Sequence, residues 1–111
     1  MIRYIEKTIS LGILPVLATK ADNIEGDNSI NATVARLAME YELPLWNFWS
    51  SVQDLPEKGL RDTEHLTTIS YLNFTDFSQP HALEYGMQMK NLTALQVLYF
   101  LWQELELESL P

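Results

Sequence analysis

The sequence contains no cysteine. That absence excludes disulfides, cysteine-ligated zinc and a thiol nucleophile, although it assigns no compartment, because many secreted proteins also lack cysteine. Basic residues are scarce: seven Lys and Arg stand against fifteen Asp and Glu, a formal net charge of −8. A field of that sign repels phosphate backbones and anionic lipid, so nucleic acid is not an expected partner. Long apolar runs are missing as well. The stretch from Leu11 to Ala18 is too short to span a bilayer and is interrupted by Pro15, so neither a membrane span nor a signal peptide is expected. No internal repeat or low-complexity tract is evident.

What is present suits one small domain. A chain of 111 residues with 47% hydrophobic residues has enough apolar material for a modest core. Ile2, Ile5 and Ile9 recur at helical spacing, and Gly12 stands where a helix would close. Ile13 to Ala18 follows as a continuous apolar run, the pattern of a strand covered on both faces in a parallel sheet, with Pro15 implying an early or irregular position. The polar stretch Thr19 to Asn28 then lies past the carboxyl end of that strand, where open α/β sheets place their ligand sites. Ile30, Val34, Leu37, Ala38 and Tyr41 predict a second helix, with Asp27, Asn28 or Ser29 as its N-cap. Leu43 to Trp49 predicts a second, parallel strand, Ser50 to Leu55 a helical turn, and Pro56 to Leu60 a loop. Residues 68–90 read as a structured loop. A last helix over 91–108 is apolar around most of its circumference, which predicts contact with a partner chain or with a part of its own domain outside this sequence.

One segment carries obvious acid-base chemistry. In Gly59-Leu60-Arg61-Asp62-Thr63-Glu64-His65-Leu66-Thr67 an aspartate precedes a histidine by three positions. A neutral imidazole takes a proton from a nucleophile near pH 7, and a carboxylate on its other nitrogen fixes the tautomer and stabilises the imidazolium. Asp62 and His65 are the candidate pair; a solvated loop pair or a capping histidine is the alternative. No serine lies in a recognisable nucleophile motif. His81 has no partner of suitable spacing and reads as a surface or packing residue. Asp22, Glu25 and Asp27 lack the spacing and terminal glutamate of a calcium loop, so no metal is expected and those side chains read as solvated. Trp46, Phe48 and Trp49 read as core packing, with a substrate cleft as the alternative.

Three successive pieces resemble the carboxyl-terminal half of an SGNH (GDSL-type) hydrolase. Ile13-Leu14-Pro15-Val16-Leu17 with its polar loop resembles the fourth-strand region of that family. Ile30-Asn31 with Leu37-Ala38-Met39-Glu40-Tyr41-Glu42-Leu43-Pro44-Leu45 resembles the following helix and strand, and Asp62-Thr63-Glu64-His65-Leu66 resembles the terminal D-x-x-H-L block. The resemblance implies a partial three-layer, doubly wound, flavodoxin-like α/β fold with parallel strands and flanking helices. Residues 1–111 would be a single incomplete domain whose amino-terminal half is missing. It implies His65 as general base and Asp62 as its orienting carboxylate, with no cofactor. The G-D-S serine block and the oxyanion-hole glycine and asparagine blocks are not found in this sequence. The implied function is therefore a carboxyl-terminal fragment of a serine ester hydrolase, inactive alone, whose partners are an ester substrate in the parent protein and a missing amino-terminal half or a second copy. The alternative is a non-catalytic remnant or protein-interaction module.

Overall fold

Two short strands run side by side between layers of helix in the computed structural model, which describes residues 1–69 and 71–105. Strand β1 (Leu17–Ala18) pairs in parallel with β2 (Leu45–Trp46), with Leu17 opposite Leu45 and Ala18 opposite Trp46. Backbone hydrogen bonds from Leu17 N–H to the Pro44 carbonyl (3.0 Å) and from Thr19 N–H to the Trp46 carbonyl (3.1 Å) continue the ladder beyond both ends. A parallel pair requires a long crossover. Helix α2 (Ser29–Glu40) supplies it, after α1 (Ile2–Ser10) has opened the chain.

Alternate strand residues face opposite sides. Leu17 packs in a buried cluster with Ile5 of α1 and Val34, Leu37 and Ala38 of α2, and Leu45 packs against that cluster. On the other side Trp46 Nε1–H donates to the Thr93 hydroxyl of α4 (Gly86–Glu104) at 2.9 Å. The chain is thus mixed α/β, with helices on both faces of a parallel pair. The core spacing of α2 follows the helical repeat expected of it. Its N-cap is Asn28, which contributes no side-chain cap bond and adopts a left-handed φ of 56°. Asn31 ties α2 to the end of β1 by accepting from Lys20 N–H and donating to the Lys20 carbonyl, both at 2.8 Å.

Three elements depart from the sequence reading. Ile13, Leu14 and Val16 are 57, 46 and 38% exposed and lie outside β1, so the run is not a strand covered on both faces. The reason is that the sheet has two strands among the described residues, and Pro15 has no N–H to offer a ladder. Phe48 and Trp49 belong to α3 (Phe48–Val52) rather than to β2, because Asn47 caps that helix with its side chain and ends the strand. Helix α4 begins at Gly86, inside the stretch read as loop; Tyr85 at its N-cap makes no side-chain hydrogen bond, so no local signal marks the start. Residues 106–108 of the expected last helix lie outside the described residues.

The molecule is flat, measuring 40 × 39 × 19 Å, with a radius of gyration of 15.6 Å. A compact domain of this length has about 13 Å. Apolar side chains of α4 stand in solvent, with Leu98, Phe100 and Trp102 at 60, 59 and 48% exposure. Among the described residues no helix is long and apolar enough to cross a membrane.

Candidate functional site

Leu60 and Leu66 form an isolated antiparallel bridge, and Arg61 N–H donates to the His65 carbonyl at 2.9 Å, so the residues between them are drawn into a tight loop. Asp62 organises the interior of that loop. Its Oδ1 accepts from the backbone N–H groups of Glu64 (2.9 Å) and His65 (2.7 Å), while Oδ2 lies 2.8 Å from His65 Nδ1. The three-residue spacing is what permits this arrangement: a short side chain captures the amides two and three positions on, a local turn that aspartate favours.

The electrostatics follow from those contacts. The Glu64 amide and then the His65 amide, helped by the His65 ring, hold the Asp62 carboxyl down at about 2 against the opposing effect of burial. Near neutral pH that carboxylate is ionised and only accepts hydrogen bonds. His65 Nδ1 must therefore carry the proton in the pair, which leaves the lone pair of a neutral ring on Nε2. Both side chains are about half exposed, at 49% for Asp62 and 54% for His65. The structure thus brings together the two residues singled out in the sequence, and their arrangement leaves one ring nitrogen available as a base.

Next to the loop, a cleft of about 230 Å³ opens beyond the carboxyl ends of the two strands. It is lined by Ala18, Lys20, Trp46 and Phe48 from the strand side, by Glu64 and Leu66 flanking His65, and by Lys90 of α4. The Trp46 ring is fixed by its bond to Thr93 and lies tilted at 58° to Phe48, with ring centroids 5.8 Å apart. Trp46 and Phe48 are thus cleft walls as well as packing residues, whereas Trp49 lies elsewhere, beside Asn47 and Asn31. Thr19 is the one hydroxyl-bearing residue in the cleft lining. It is already committed, donating to Asn47 Oδ1 at 2.9 Å and accepting from Trp49 N–H at 3.0 Å. The cleft itself offers no free hydroxyl nucleophile.

The remaining candidates resolve differently. Lys20 Nζ binds Asp22 (2.5 Å) and Glu25 (2.8 Å), so two of the three acidic side chains of that loop serve an ion-pair cluster at the cleft rim. Asp22 and then Glu25 raise the Lys20 pKa, and Lys20 lowers that of Glu25. Asp27 instead accepts from Ser29 N–H. No group of three or more His, Asp or Glu side chains is gathered for a metal among the described residues. His81 does have a partner: its Nε2 lies 2.8 Å from the Tyr71 hydroxyl, an exposed pair across ten positions that no local spacing rule reveals. Lys20 belongs to the polar stretch read from the sequence as the rim of a ligand site, whereas the place of Lys90 at the cleft depends on how α4 docks and no local signal reveals it.

Comparisons with protein-family models, curated proteins and solved structures produced no match.

Proposed function

We propose that the chain is the carboxyl-terminal part of a serine ester hydrolase domain of the SGNH (GDSL-type) class, with His65 as general base and Asp62 as its orienting carboxylate. The single observation that supports this most is the 2.8 Å contact from Asp62 Oδ2 to His65 Nδ1, made by a carboxylate whose other oxygen is held by two backbone amides. That pair follows two parallel strands in the chain, and its neighbours Glu64 and Leu66 line the cleft beyond the carboxyl ends of those strands, the region where open α/β sheets carry ligand sites. The complete domain would be the three-layer, flavodoxin-like arrangement of which this chain forms one side.

In that reading a serine outside this sequence attacks the ester carbonyl while His65 Nε2 takes its proton. Asp62 stabilises the imidazolium, which then returns the proton to the departing alkoxide, leaving an acyl-serine and an alcohol. Water repeats the cycle to release the acid. The Trp46 and Phe48 wall suits an apolar acyl group or a sugar face, since both stack on aromatic rings. The G-D-S block and the oxyanion-hole blocks are not found in this sequence, so in this reading the chain alone hydrolyses no ester by this route.

The exposed apolar residues of α4 favour a second reading, a non-catalytic interaction module that binds a missing half or a second copy through that face. The test separates the two. The coding sequence upstream of Met1, or a neighbouring reading frame, is read for G-D-S and G-x-N-D blocks, and the joined polypeptide is assayed on acetyl and short acyl esters. Hydrolysis that vanishes in His65→Ala with folding intact is expected; retained hydrolysis in that variant overturns the proposal.

A further inference from the structure

The loop that carries Asp62 and His65 is anchored from outside itself. Just beyond its two ends stand Gly59 and Thr67, and the Gly59 carbonyl accepts from both Thr67 N–H (2.8 Å) and the Thr67 hydroxyl (3.2 Å). Thr67 also faces α4. Its Oγ1 accepts from Gly86 N–H at 2.7 Å and its carbonyl from Met87 N–H at 3.0 Å.

Those two amides are among the first of α4, which have no partner within a helix and must be satisfied from outside. Tyr85, the N-cap residue, supplies no side-chain bond. Thr67 does so from 19 positions upstream. The approach is too close for a side chain at the contact: a Cβ on Gly86 would stand 2.3 Å from the Gly59 carbonyl oxygen. Gly59 itself takes a φ of +74°, and a Cβ there would meet Gly86 Cα and Val52 at 3.2 Å. Both glycines are thus required by one junction between the loop and the helix.

We infer that Thr67, seated between Gly59 and Gly86, is a positioning residue that caps α4 at long range and thereby fixes the loop in which Asp62 holds His65. The inference rests on the base-and-orienter reading of that pair. A single hydroxyl spends its proton on Gly59 and a lone pair on Gly86; its removal leaves the Thr67 N–H on the Gly59 carbonyl but uncaps Gly86 and loosens the loop at the same junction.

The test needs no catalysis and uses the chain as it stands. Nitrogen-15 NMR of the His65 ring reports its tautomer, and hydrogen exchange reports the Gly86 amide. In the unaltered chain the neutral ring should be protonated at Nδ1 and the Gly86 amide protected. Thr67→Val should shift the ring toward the tautomer mixture of an unconstrained histidine and speed Gly86 exchange roughly five- to tenfold, the usual loss of a cap. Thr67→Ser keeps the hydroxyl and should restore both. Wild-type values of both readouts in Thr67→Val, or failure of Thr67→Ser to restore them, overturn the inference. A tautomer mixture in the unaltered chain with Gly86 still protected overturns the base-and-orienter reading instead, and the inference falls with it. Should Thr67→Val not fold, exchange in the unaltered chain decides: Thr67, Gly86 and Met87 amides should open together, and free exchange at Gly86 overturns the inference.

Discussion

The two sides of the sheet are held by different forces. On the α1 and α2 side, Ile5, Leu17, Val34, Leu37 and Ala38 form a closed apolar cluster. On the α4 side the buried apolar residues Phe48, Val52 and Ala82 are joined by polar ties: Trp46 to Thr93, Thr67 to Gly59 and Gly86, and Asn91 Nδ2–H to the Phe74 carbonyl at 3.0 Å. Apolar packing is non-directional and tolerates small shifts, whereas hydrogen bonds fix angles. The first side rests chiefly on packing, whereas the second combines packing with directional ties that run up to the loop of the candidate site.

Four experiments bear on that division. The largest effect belongs to His65→Ala in the proposed complete hydrolase, where loss of the proposed general base should lower the rate by more than about a thousandfold. Urea denaturation of the same variant should shift by less than about 0.5 kcal/mol, since the ring is half exposed. A stability loss above about 1 kcal/mol would make His65 structural and blur the division. Leu37→Ala should do the reverse. It empties part of the buried cluster, costing about 2–5 kcal/mol in urea unfolding, while the His65 tautomer measured by NMR stays unchanged. A changed tautomer there would show that the two sides are one cooperative unit.

Gln88 offers a smaller test on the α4 side. It is fully buried, and among the described residues neither its Oε1 nor its Nε2 has a hydrogen-bond partner. Replacing it with methionine keeps the length of the side chain and removes the unsatisfied groups, so Gln88→Met should stabilise by about 1 kcal/mol. Destabilisation on urea unfolding would reveal a polar partner for Gln88 and another directional tie. The last effect is the pH dependence of Asp62. Its carboxyl lies below the ordinary aspartate value of 3.8, at about 2, so its contribution to folding is complete above the ordinary value and is lost as pH falls through about 2. A carboxyl titration by NMR should find the low midpoint. A midpoint near the ordinary value would mean that the two backbone amides do not hold it.

The sequence reading located what depends on neighbours in the chain. The spacing of Val34, Leu37 and Ala38 marked α2, and the three-residue interval from Asp62 to His65 was enough to propose the pair, because a local turn satisfies it. The parallel pairing of β1 and β2 was also legible from the order of a short apolar run, a helix and a second run. Phe48 was misplaced because a strand pattern and the start of a helix look alike until Asn47 is seen to cap the latter. Gly86 was placed in a loop because the groups that satisfy its helix start lie far upstream.

The sequence by itself determined the negative charge, the absence of thiol chemistry, the helix of the crossover and the residues of the candidate acid-base pair. All of these follow from composition or from contacts within a few positions. Only the tertiary structure decided that Trp46, Phe48 and Lys90 share a cleft, that Thr19 is spent on Asn47, that His81 meets Tyr71 and that Thr67 caps α4. Those contacts join residues far apart in the chain, and their geometry exists only once the helices have packed on both faces of the sheet.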